Sequence, residues 1–200
     1  MASIKLKHSG GNGVIIAAPS SNPASDRTIT LPSTADGTML TTTNPKAGNI
    51  IQVVSATKTD TFTTTSQPYV DITGLSVSIT PTSSSNKILV SYTLSMAADG
   101  FPMFKVLRDS TDVFVGDAAS NRVQCFFGGH TGELHSSMVL PVSGNFLDSP
   151  STTSSTTYKV QTGTIYSTGY SIYINRSRTD NDVNYFPRTA SSITVMEVAA

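Results

Sequence analysis

Tryptophan is absent from this chain of 200 residues, glutamate occurs only at Glu133 and Glu197, and cysteine only at Cys125. A lone cysteine excludes an internal disulfide. Scarce glutamate beside plentiful Thr, Val, Ile and Tyr disfavours helices and suits strands. Charge is also sparse: 13% of residues are charged and the formal net charge is +0. That leaves no basic field for nucleic acid and no polybasic patch for a membrane surface. No apolar run reaches membrane-spanning length, and Met1-Ala2-Ser3-Ile4-Lys5 lacks the apolar stretch of a signal peptide. The expectation is a soluble product, made in a cytoplasm and then assembled.

Serine and threonine fill the space left by charge, at more than a quarter of the chain. Disorder would pair low hydrophobicity with high net charge. Here hydrophobic residues are 38% and fall in alternating runs, so an ordered all-β protein is expected.

The first 45 residues read as short strands, Ile4 to His8, Val14 to Ala18, Arg27 to Leu31 and Thr38 to Leu40, cut by Gly-, Pro- and Ser-rich turns. Each offers two or three apolar side chains. Such a ribbon has open edges and almost no core, so either it is disordered or other chains complete it, and the alternation in Thr28-Ile29-Thr30-Leu31 argues for order. A linker, Thr41 to Gly48, follows. The expected organisation is an N-terminal β ribbon for attachment or assembly (1–45), a hinge (46–48) and a β-sandwich (49–200).

Beyond the hinge, strand signals recur about every ten residues. Ile50 to Ser55 comes first, then Tyr69 to Thr73 and Leu75 to Thr80, hinged at Gly74. In Lys87 to Met96, Ile88, Val90, Tyr92, Leu94 and Met96 share one face, a period of two that excludes a helix. Met103 to Arg108 and Asp112 to Gly116 flank a tight turn and predict a hairpin. Further strands are expected over Arg122 to Phe127, Met138 to Val142, Thr157 to Gln161, Tyr170 to Asn175 and Ser192 to Val198. This series predicts a jelly-roll-type sandwich. The last strand puts Ile193, Val195, Met196 and Val198 on both of its faces, which marks them as candidate trimer-interface residues.

Two stretches resemble a known group. Ile4-Lys5-Leu6-Lys7, Gly13 to Pro19, Arg27 to Pro32 and Asp36 to Leu40 resemble the start of tail-fibre-like proteins of marine tailed bacteriophages. Ile51 to Val54, Asp71 to Pro81, Tyr158 to Gln161 and Ser191 to Val198 resemble a module common at the C-terminus of such proteins. The resemblance implies a virion structural protein, a homotrimer, with a jelly-roll similar to the tumour-necrosis-factor or complement-C1q head. It carries over no catalytic residue and no cofactor. A short tail fibre or tip touching the host, and a capsid-bound head fibre or decoration protein, both fit it. In either case residues 1–45 would engage other virion proteins.

Signals for catalysis are thin, and no enzyme is expected. There is no Gly-x-Ser-x-Gly elbow, Gly10-Gly11-Asn12-Gly13 lacks the Lys and helix of a phosphate loop, and most of the eleven Asp sit in turns. A fibre-borne polysaccharide depolymerase would need a carboxylate pair and is the minor alternative. His130, Glu133 and His135 are the metal candidates, opposed by their glycine-rich, non-helical spacing. Asp180-Asn181-Asp182 alternates oxygen ligands without the Gly or distal Glu of a calcium loop. Receptor contact is expected on the loop Arg176 to Arg188. Its candidates are Tyr173, Arg176, Arg178, Asp180, Asp182, Tyr185 and Phe186, a mix that suits a host surface glycan or protein.

Overall fold

The structure is a computed structural model. It describes residues 3–7, 9–11, 13–17, 45–131, 135–165 and 169–200. The expected strands at Arg27 to Leu31 and Thr38 to Leu40 lie outside these residues. The chain divides into two compact units, Met1–Met39 and Leu40–Ala200. In the first, β1 (Ser3–Lys7) and β2 (Gly13–Ala17) pair antiparallel as a two-stranded sheet.

The second unit is a sandwich of two antiparallel sheets, with no helix among the described residues. Its strands are β3 (Ile50–Lys58), β4 (Phe62–Thr64), β5 (Val70–Ile79), β6 (Lys87–Ala98), β7 (Pro102–Arg108), β8 (Thr111–Phe114), β9 (Phe127–Gly128), β10 (Leu140–Asp148), β11 (Thr156–Thr164), β12 (Ile172–Ile174) and β13 (Ser191–Val198). One sheet is built on β6, the longest strand. β10 pairs with one edge of it, while β13 and β12 share the other, and they pair in turn with β3 and β4. The second sheet runs β5-β11-β7, with β8 and β9 sharing the far edge of β7.

Alternation explains the core. Ile88, Val90, Tyr92, Leu94 and Met96 of β6 are all buried, as are Ile72, Leu75, Val77 and Ile79 of β5. Ile172 and Ile174 of the first sheet and Phe104, Val106, Tyr158 and Val160 of the second complete this core. Gly74 stays inside β5 instead of ending it. Its φ of +86° suits glycine, and the stem of buried Lys58 packs 3.8 Å from where a Cβ would stand.

Three expectations need correction. Arg122 to Phe127 does not pair as a strand, and only Phe127–Gly128 does. Phe126 instead packs 4.6 Å from the Tyr92 ring and 6.1 Å from Phe104. Met138 to Val142 is replaced by the longer β10, which continues through Gly144 because that glycine leaves room for the Tyr92 ring. The third concerns the last strand: Ile193 and Val195 are fully enclosed in this chain's own core, against Tyr92, Val90, Ala56 and Val54. They therefore cannot meet a neighbouring subunit. Met196 and Val198 alternate to the opposite, half-buried face.

Candidate functional site

The loop between β12 and β13 leaves the first sheet at Asn175. This residue is fully buried with φ +62°, a conformation asparagine tolerates better than most residues. Its Nδ2 donates to the carbonyls of Lys58 (2.9 Å) and Asp60 (3.0 Å), and its Oδ1 accepts from Ser191 Oγ at 2.6 Å. Its own N–H donates to Ser95 O at 2.8 Å. Arg176 and Arg188 then pair across the neck of the loop as an isolated bridge.

Above the neck, Asp180 and the three arginines are paired within the protein. Asp180 sits between two guanidinium groups, pairing with Arg176 at 3.3 Å and with Arg188. The hydrogen bond from Arg188 holds the Asp180 carboxyl below the usual carboxylate range, and Arg188 is raised in return. Arg176 also lies 4.7 Å from the centre of the Tyr173 ring and donates to the carbonyls of Ser177 and Arg178. Arg178 and Tyr173 converge on Asp99, at the end of β6: Arg178 Nε donates to Oδ1 and Tyr173 Oη to Oδ2 at 2.8 Å. Burial pushes the Tyr173 hydroxyl up. Thr179 N–H donates to Ser136 O at 3.2 Å, which ties the loop to the segment before β10.

The seven sequence candidates thus separate. Tyr173, Arg176, Arg178 and Asp180 form the brace. Asp182 and Tyr185 are exposed at the tip, with Phe186 half-buried and its ring 4.7 Å from that of Tyr185. Tyr185 is 62% exposed and Val183 42%. Turn hydrogen bonds from Val183 N–H to Asn181 O (2.8 Å) and from Phe186 N–H to Val183 O (3.1 Å) shape this tip. Asp99, Ser136 and Asn175 went unnoticed in the sequence. Asp99 and Ser136 lie tens of residues before the loop, and nothing local marks them as its anchors.

The two described metal candidates each contact another side chain. The His130 ring packs 4.6 Å from that of Phe101, His135 Nδ1 lies 2.7 Å from Ser137 Oγ, and Glu133 lies outside the described residues. Among the described residues, no group of three His, Cys, Asp or Glu converges. In the calcium-like run, Asp180 is already committed to the two arginines. A cleft of about 140 Å³ lies between Pro68, Tyr69, Met103, Val123, Gly163 and Ile165, away from the loop and mostly apolar.

Sequence also missed Glu197. It faces inward from β13, is fully buried, and has no cation beside it among the described residues. Four donors surround it: Asn86 Nδ2 (2.6 Å), Gln52 Nε2 (2.6 Å), Thr82 N–H (2.7 Å) and Thr82 Oγ1 (2.8 Å). Burial works to raise its pKa, but the bonds from Asn86, Gln52 and Thr82 together outweigh burial and hold the carboxyl below its ordinary value. The cluster joins β3, the β5–β6 turn and β13 at the end of the sandwich where the chain enters it.

No protein-family model matches the chain, and no curated protein matches it. Among solved structures, that of infectious bursal disease virus, Gt strain, is similar with a TM-score of 0.38 and 17% identity. The match covers 95% of this chain and 48% of the other, so this chain spans about half the length of that one.

Proposed function

We propose that the chain is a non-enzymatic structural protein of a bacteriophage particle. In this reading residues 1–45 attach it to other virion proteins. The sandwich of residues 49–200 assembles as a homotrimer, a short tail fibre or fibre tip, and the loop Arg176 to Arg188 touches a host surface glycan or protein. The observation that carries the receptor role is the division of labour within that loop. Its arginines and Asp180 are already paired, with one another or with Asp99, so they brace the backbone and leave little charge to offer. What remains outward is Tyr185, with Phe186, Val183 and Asp182 beside it. A rigidly held aromatic with a nearby acceptor suits stacking on a sugar face at low entropic cost.

Adsorption of the purified full chain to cells of the bacterium that the virus infects tests this. The wild type should bind, and Tyr185→Ala combined with Asp182→Ala should abolish binding without moving the thermal transition. A double variant that binds like the wild type would place the contact elsewhere. A wild-type chain that binds no such cells would remove the receptor role and leave the head-fibre or decoration reading.

A further inference from the structure

The two outer faces of the sandwich differ in kind. That of the second sheet carries charge: Lys159 and Gln161 bond Asp71 at 2.9 and 2.7 Å, and Lys105 pairs with Asp112 at 2.7 Å. The first sheet differs. Residues directly opposed on antiparallel strands share a face. The register therefore sets Val53, Met196, Leu89 and Leu147 in one outward row across β3, β13, β6 and β10. The neighbouring row holds Ile50, Val198 and Lys87. Toward the other end follow Ser55, Thr194, Ser91 and Asn145, then Thr57, Ser192, Thr93 and Ser143.

Four strands at about 4.8 Å spacing make the apolar row about 14 Å wide. Ile50, Val53 and Leu147 are 55%, 55% and 56% exposed, and Met196, Leu89 and Val198 are half-buried between them. In these four rows the one charged side chain is Lys87, which reaches to Ser149 Oγ at 2.7 Å.

We propose that this apolar band, with the uncharged Ser/Thr rows beside it, is the surface through which copies of this chain meet one another. The inference rests on the oligomeric reading above and names its face. Two observations select a second copy as the occupant. Around a symmetry axis a charged group meets its own copies, so a self-associating surface must be uncharged near the axis, and charge is depleted from interface cores generally. This face meets that condition and the opposite one does not. The second observation is where the chain enters the sandwich. Gly48 N–H donates to Ala199 O and Ala199 N–H to Asn49 O, both at 2.9 Å, which fixes the entry beside Ile50 and Val198. Copies joined through this band therefore begin their preceding 47 residues side by side. A two-stranded pair such as β1–β2 is marginal alone, and neighbouring copies could complete it.

Sedimentation of the full chain at micromolar concentration tests the face. The wild type should run as a multimer. Val53→Lys with Leu147→Lys, two outward and exposed positions, should lower the mass about threefold, to the 21.1 kDa of one chain, and keep a cooperative thermal transition. Thr73→Lys on the opposite sheet should leave the multimer intact. If the lysine pair unfolds the protein, Val53→Thr with Leu147→Thr keeps strand preference and should still dissociate it. A multimer that survives both pairs overturns this face while sparing the oligomeric reading. A monomeric wild type overturns the oligomeric reading itself.

Discussion

Replacing Glu197 by alanine should be among the most damaging single changes to the sandwich, although the residue belongs to no proposed binding site. Hydrogen bonds to a charged acceptor are each worth about 1.5–3 kcal/mol, so four independent ones would sum to about 6–12 kcal/mol. They are not independent. Gln52 Nε2 also donates to Thr80 O at 2.7 Å, and Asn86 Nδ2 also donates to Thr82 Oγ1 at 3.2 Å. Both amides thus stay anchored through their second N–H, and with two bonds counted as lost in full the expected loss is about 3–6 kcal/mol. For a domain of this size that lowers Tm by about 6–24 °C, read by circular dichroism at pH 7. Glu197→Gln keeps the shape but sets an amide against Gln52, and should cost less. Its pH dependence gives a second reading. The folded pKa lies below the ordinary 4.5, so the stabilisation is fully present above that value and is lost as pH falls through the folded pKa. The gap between wild type and Glu197→Gln should therefore be widest near neutrality and close in acid. A loss under about 1 kcal/mol for Glu197→Ala, or a gap that widens in acid, would refute the reasoning.

Val195→Asp should abolish the cooperative thermal transition rather than merely dissociate subunits, because the new carboxylate would be buried among Val54, Val90 and their neighbours without a partner. Asp99→Ala should free the brace of the Arg176–Arg188 loop, so trypsin should cut after Arg176 or Arg178 about tenfold faster while Tm changes little. A chain of residues 46–200 keeps the Gly48–Ala199 pairing and the whole core. It should melt cooperatively close to the full chain's Tm, and aggregation or loss of the transition would show that the two parts share a core.

What the sequence made legible was whatever a period of two could carry. β6 announced itself with five apolar residues on one face. β4 did not, since Phe62-Thr63-Thr64 lies in a threonine run whose only apolar member is Phe62. Gly144 hid the second half of β10, because it looks like a strand breaker, although the expected strand ran through Pro141. In the structure Pro141 pairs on an edge strand and Gly144 makes room for Tyr92. On β13 the alternation placed Glu197 in phase with Ile193 and Val195, but a carboxylate reads as exposed. The donors that make its burial tolerable lie more than 100 residues earlier in the chain. The loop's residue types were legible in the same way, and their roles were not. Whether Arg178 points at a receptor or at Asp99 depends on a partner 79 residues away.

The most direct test of the account is immunogold electron microscopy of virus particles purified from cultures carrying the gene in its own genome, using antibody raised against residues 49–200. The account predicts label at the tail of intact particles, with the chain recovered from them at several copies each. Label confined to infected-cell lysate, with particles free of the chain, would contradict it.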